Sequence, residues 1–196
     1  MLKKDIYHQL TDVNAKRTRI ASIIFGAYAG VLMIVDFFMP GFWSSEHHHT
    51  YIKLDLLFVG YSITVIYLFW FHRFKNKQNV NIAIYASVLF ILIWSAVITG
   101  IEITTYGFTT LLVVFMGCAF FVYLKPEILT VYYLLSLATV AIVTAAMDIA
   151  IDDSFLPQII ILAVTSMASL VIAYQNFYDR IKYLLNEHHK EQSNRE

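Results

Sequence analysis

The chain has 196 residues, 59% of them hydrophobic and 14% charged, with a formal net charge of zero and one cysteine. A soluble domain of this length carries more charge and arranges its apolar residues in stripes; here they come in blocks near the ~20 residues that cross a bilayer. The neutral balance supplies no basic surface for nucleic acid, and Cys118, inside an apolar run, excludes an intramolecular disulfide and reads as a buried structural thiol.

The expected fold is all-α and polytopic. Six transmembrane helices are predicted at about 20–39, 54–71, 80–100, 106–123, 128–150 and 155–174. Residues 1–19 form a cytoplasmic N-terminal segment too polar for a secretory signal, 20–174 a six-helix domain, and 175–196 a cytoplasmic extension of the sixth helix. Span one contains Gly26 and Gly30 in a G-x-x-x-G, read as a close helix contact, and Asp36 one turn from its outer end. "GFWSSEHHHT" then sets Trp43, Glu46, His47, His48 and His49 on the first turn. Asp55 opens span two; if that helix extends outward, His48 and Asp55 share a face with Tyr51 between them. Glu102 ends span three, Pro126 begins span five where a helix start tolerates it, and Asp148 lies near that span's outer end. "DDSF" offers Asp153 or Ser154 as the N-cap of span six.

Charge sets the orientation. Thirteen of the fourteen basic residues precede span one, separate spans two and three or four and five, or follow span six; only Lys53 lies opposite. By the positive-inside rule both termini are cytoplasmic. The outer rim then gathers Asp36, Glu46, Asp55, Glu102, Asp148, Asp152 and Asp153 against that one lysine. A carboxylate a turn below the interface costs a few kcal/mol unless it is paired, protonated or hydrated. Asp36, Asp55, Glu102 and Asp148 with His47, His48 or His49 are therefore candidate ligands, and carboxylate plus imidazole suits a divalent transition metal. An organic cation flanked by Trp43, Tyr51 and Tyr106 is the other ligand class, and a merely solvated polar loop the plain alternative.

The middles of the spans hold no Asp, Glu, Lys, Arg or His, which leaves no relay of the kind an ion-coupled pump needs. No H-E-x-x-H, G-x-S-x-G or phosphate-binding loop is present, so no catalytic residue is assigned. Past span six, "LVIAYQNFYDRIKYLLNEHHKEQSNRE" has neither Gly nor Pro. Leu170, Tyr174, Phe177, Ile181, Leu184 and His188 follow a 4-3-4-3-4 spacing, the seam of a coiled coil, so a homodimer joined through this helix is expected. The alternative is a juxtamembrane helix lying on lipid. The closing "EQSNRE" has no stop signal, and the helix is expected to continue into a longer protein.

This layout, a basic N-terminus, six spans with short outer turns and then "NFYDRIKYLLNEHHKEQSNRE", resembles the membrane sensor region of bacterial GGDEF diguanylate cyclases. Membrane regions of some adenylate cyclases and histidine kinases look alike at this level. The resemblance implies a sensor in the bacterial inner membrane that detects an extracytoplasmic ligand or metal and regulates a nucleotide cyclase. The competing expectation is a self-contained cation channel or transporter with an acidic vestibule. Either way, cysteines at Ser45 and Gln78 are expected to react with an impermeant thiol reagent from opposite faces of the membrane. Labelling of both from one face would overturn the topology.

Overall fold

A backbone group without a partner in hydrocarbon costs several kcal/mol, so a chain this apolar must satisfy its amides within helices. The computed structural model describes residues 2–38, 48–71, 77–149 and 155–193. Among them the elements are α1 (Leu2–Phe38), α2 (His48–Phe71), α3 (Lys77–Tyr106), α4 (Thr109–Phe121), α5 (Pro126–Ala146) and α6 (Leu156–Ser193). Of these helices, α1, α2, α3, α5 and α6 are long and apolar enough to cross a membrane.

α1 carries the N-terminal segment and span one on one helix of 37 residues, about 55 Å long at 1.5 Å per residue. One element differs from expectation. α4 has only 13 residues, about 20 Å, against a hydrocarbon core of about 30 Å. It is bounded by a turn at Gly107, whose φ of 58° is left-handed, and by extended backbone at Val122. The extended stretch follows from Pro126, which disfavours helix at Lys125 and holds it at φ −60°, ψ 129°. At Gly107 an added Cβ would also collide with Gln158 in the first turn of α6.

α3 lies at the centre and packs against α1, α4 and α5, while α2 pairs chiefly with α1, and α6 with α4. Ile84, Leu92, Leu111, Phe115 and Leu129 are fully buried. The Tyr133 and Phe115 rings stack at 3.8 Å, and the Tyr133 hydroxyl donates to the Phe115 carbonyl at 2.5 Å. Phe58 meets Trp94 at 4.3 Å, joining α2 to α3. Large apolar side chains such as Ile24, Leu57, Ile63, Ile142, Val164 and Met167 point outward, a surface suited to lipid rather than water. Ile6 and Leu10 near the start of α1 pack against Phe177 and Leu184 near the end of α6, so the two terminal regions lie at the same end of the bundle.

Lipid gives helices little hydrophobic reason to associate, so close approach of backbones carries much of the packing. A Cβ on Gly26 would stand 2.7 Å from the Ser62 Cβ, and one on Gly100 would stand 2.7 Å from the Val143 Cβ. The glycine pair in span one therefore serves contact with α2 of its own chain, with Gly30 in ordinary contact with Val59. Gly26→Leu is expected to destabilise the protein by about 1–3 kcal/mol through overpacking. Gly60→Leu, at a position where a Cβ meets nothing within 4 Å, is expected to be neutral or slightly stabilising. Unfolding in mild detergent measures both.

Candidate functional site

α2 begins at His48, so its helix extends past Asp55 toward the histidine triplet and sets position 48 two turns from Asp55 on one face. His47 lies outside the described residues, as do the side chains of Asp36, His48 and His49. Asp55 is buried, with 4% exposure, and Glu102 is half-buried. Among the described residues, no three of His, Cys, Asp and Glu come together as a metal-binding group.

Asp148 has a backbone role that the sequence reading did not include. It is exposed, two residues past the end of α5, with a left-handed φ of 51°. Its N–H donates to the Ala145 carbonyl and the next N–H, from Ile149, to Thr144, both at 3.2 Å. This pair of bonds is a Schellman motif, in which the left-handed residue falls to Gly or Asn and, less readily, Asp. Asp148 ends a helix, a role that hydropathy alone does not distinguish from a ligand.

The end of the bundle where α1 begins and α6 finishes holds the densest polar structure among the described residues, and sequence reading passed over it. Four carbonyls at the end of any α-helix lack a partner within the helix. At the end of α4, the Cys118 carbonyl accepts from Val122 N at 3.2 Å and Ala119 accepts from Asn176 Nδ2 of α6 at 3.1 Å. Phe120 and Phe121 both accept from Arg17 Nη1 of α1 at 3.4 Å. The next extended residue, Tyr123, has no helix partner for either backbone group. Asn14 supplies both, accepting from the Tyr123 N–H at 2.9 Å and donating to its carbonyl at 3.1 Å. An amide is the side chain that offers a donor and an acceptor in the pattern of a peptide group.

Around this, the Arg17 guanidinium stands 4.1 Å from the Tyr123 ring centroid and the Lys125 ammonium 5.6 Å from that of Tyr7. The Thr11 hydroxyl lies 2.9 Å from Asn81 Oδ1 of α3, and Asp12 forms an ion pair with Lys77. Residues 6–17 of α1 thus touch α3, α6 and the segment joining α4 to α5. The buried stripe Ile6, Leu10, Asn14, Thr18, Ser22 is spaced by four, but only its first two members are apolar, so hydrophobic periodicity gives little sign of it.

The same contacts bear on the seam of helix six. α6 continues unbroken to Ser193. Tyr174 is exposed, but Phe177 and Leu184 are buried against Ile6 and Leu10, and half-buried Ile181 packs on that cluster. His188 is half-buried with Nδ1 lacking a partner among the described residues. The apolar spacing is real, yet at three positions the surface filling it belongs to α1 of the same chain. A heptad specifies a helical neighbour and is silent about which helix supplies it.

Compared with known proteins, the chain matches no family model, no curated protein and no solved structure. Its own geometry carries the functional reading. For the rim, Asp148→Asn and Asp148→Gly are expected to leave stability within about 0.5 kcal/mol, whereas Asp148→Val is expected to cost about 1–2 kcal/mol by forcing a β-branched residue to positive φ. If Asp148→Asn instead abolished ligand or metal binding at unchanged stability, Asp148 would be a ligand after all.

Proposed function

We propose that the chain is a membrane signal-input module. It crosses the bacterial inner membrane six times with both termini cytoplasmic, senses a ligand or metal at its outer rim, and relays the change through α6 to a cytoplasmic output enzyme. One observation carries this reading above the others: α6 is a single helix of 38 residues, about 57 Å, which outruns the bilayer by roughly half its length. A helix continuous from the outer turn to well beyond the inner interface is a direct route for displacement.

Supporting six crossings, the start of α1 and the end of α6 pack together, and two termini at one end of a bundle require an even number of passes. α4 makes up its short length with the extended residues 122–125, which add about 13 Å at ~3.3 Å each. The orientation agrees with the charges, since Arg17, Lys77 and Lys125 share the end where α1 begins and α6 finishes. The resemblance to diguanylate cyclase sensor regions supports a nucleotide cyclase as the output. For the rim, Asp36, Asp55, Glu102 and Asp148 with His47, His48 or His49 remain the proposed ligand set for a divalent transition metal or an organic cation. Pairing of two copies remains part of the proposal through Tyr174, Phe177, Ile181, Leu184 and His188. The channel reading draws no support from the interior, where Leu111, Phe115, Leu129 and Tyr133 fill the space between α3, α4 and α5.

The test joins a diguanylate cyclase domain after Glu196 and measures cyclic di-GMP while zinc, nickel or copper is varied outside the cell. A several-fold change is expected with one of these ions, and loss of that change with Asp55→Asn combined with alanine at 47–49. Purified protein in liposomes is expected to pass no cations. Steady cation flux, or cyclase output indifferent to all three metals and to quaternary amines, would replace the sensor reading.

A further inference from the structure

The contact between the first turns of α1 and the far end of α6 has a second consequence. Phe177 and Leu184 are each at most 4% exposed, and the residues that cover them are Ile6 and Leu10, with Tyr7, Tyr123, Ile181 and Leu185 around the edge. A side chain that fills a hole in one neighbour cannot fill a hole in another. The face of α6 that a second copy would use is already occupied.

We propose that residues 6–12 of α1 form an autoinhibitory clasp on α6, and that pairing of the α6 extensions between copies requires the clasp to open. The inference rests on the dimeric-sensor reading above and specifies its regulation. Three features fit an element that opens and closes. The apolar part is small, two buried side chains from each helix with a few half-buried ones around them, so it holds without locking. Of the two polar ties from this segment to α3, Thr11, which meets Asn81, is buried, but the Asp12–Lys77 ion pair is 61% and 38% exposed, and exposed pairs are weak and screened by salt. Further along α1, Asn14 and Arg17 anchor the helix to the α4–α5 segment, so residues 6–12 can leave α6 while the helix stays attached. In the closed arrangement Arg180 Nε and His188 Nδ1 of α6 are buried without hydrogen-bond partners among the described residues, so that face is not polar-satisfied by the clasp.

The experiment uses the full chain in nanodiscs with two reporters, and Cys118, being buried, stays silent. Leu184→Cys reports clasp opening through its rate of reaction with a water-soluble maleimide. Tyr174→Cys, exposed in the closed state, reports pairing through disulfide crosslinking between copies. Each is read in the parent, in Ile6→Asp/Leu10→Asp, and in the gentler Lys77→Glu, which sets like charges where Asp12 meets α3. Opening is expected to speed labelling at Leu184→Cys by tenfold or more in the double variant, and crosslinking at Tyr174→Cys is expected to rise at least threefold in step with it. Unchanged labelling in both variants overturns the clasp. Faster labelling with unchanged crosslinking overturns its inhibitory role. Strong crosslinking in the parent, with Leu184→Cys still protected, overturns the mutual exclusion but leaves the dimer intact. No crosslinking in any variant overturns the dimeric reading itself, whatever the labelling shows.

Discussion

Much of this structure follows from where α4 stops. A helix that ends inside or at the edge of a membrane leaves carbonyls that water cannot reach, and each must find a donor. Here the donors come from three places: the chain's own Val122 amide, Asn176 of α6 and Arg17 of α1. Those bonds draw the two longest helices to the same point. Once Arg17 is fixed on α4, Asn14 falls one turn away, beside the extended backbone of Tyr123, and Ile6 and Leu10 fall along α6. An early helix end, followed by a Pro126 that keeps the next residue back extended, thus organises the end of the bundle where α1 begins.

The two ends are built differently. At the end that holds Gly107 and Asp148, the ordered devices among the described residues are local: the Schellman motif at Asp148 and the left-handed turn at Gly107. At the end where α1 begins, bonds run between residues more than a hundred positions apart, as from Asn14 to Tyr123. Local devices fix a turn without tying one helix to another. Long-range bonds do tie them, so a change in helix tilt is felt most where α1, α3, α4 and α6 are joined.

What could be read from the sequence divides along the same line. The apolar blocks and their punctuation locate the helices well, because each rests on neighbours within a few residues: Pro126 begins α5 and Pro157 falls in the first turn of α6. The end of α4 is less legible: hydropathy counts apolar residues and so carries span four past Phe121, where the backbone unwinds ahead of Pro126. The length of α1 is not legible either, because charged residues end an apolar block without ending a helix, and Lys16, Arg17 and Arg19 all lie on α1. The rim was legible as a set of carboxylates but not as geometry, since a left-handed Asp at a helix end and a ligating Asp look alike in a string of letters. For the seam of α6, periodicity reads Phe177, Ile181 and Leu184 as facing a second copy and does not show that α1 of the same chain also packs there.

The unbroken length of α1 has a mechanical meaning. The helix is pinned twice, to α2 at Gly26 and to the end of α4 and Tyr123 at Asn14 and Arg17. A helix held at two places does not pivot as one rod; the part left to swing is the stretch before Asn14, about 12 Å back to Ile6 at 1.5 Å per residue. A small bend near Asn14 therefore reaches Ile6 as a movement comparable to the slack in a packed apolar contact, which forfeits a quarter to a half of its attraction over a gap of about 0.5–1 Å.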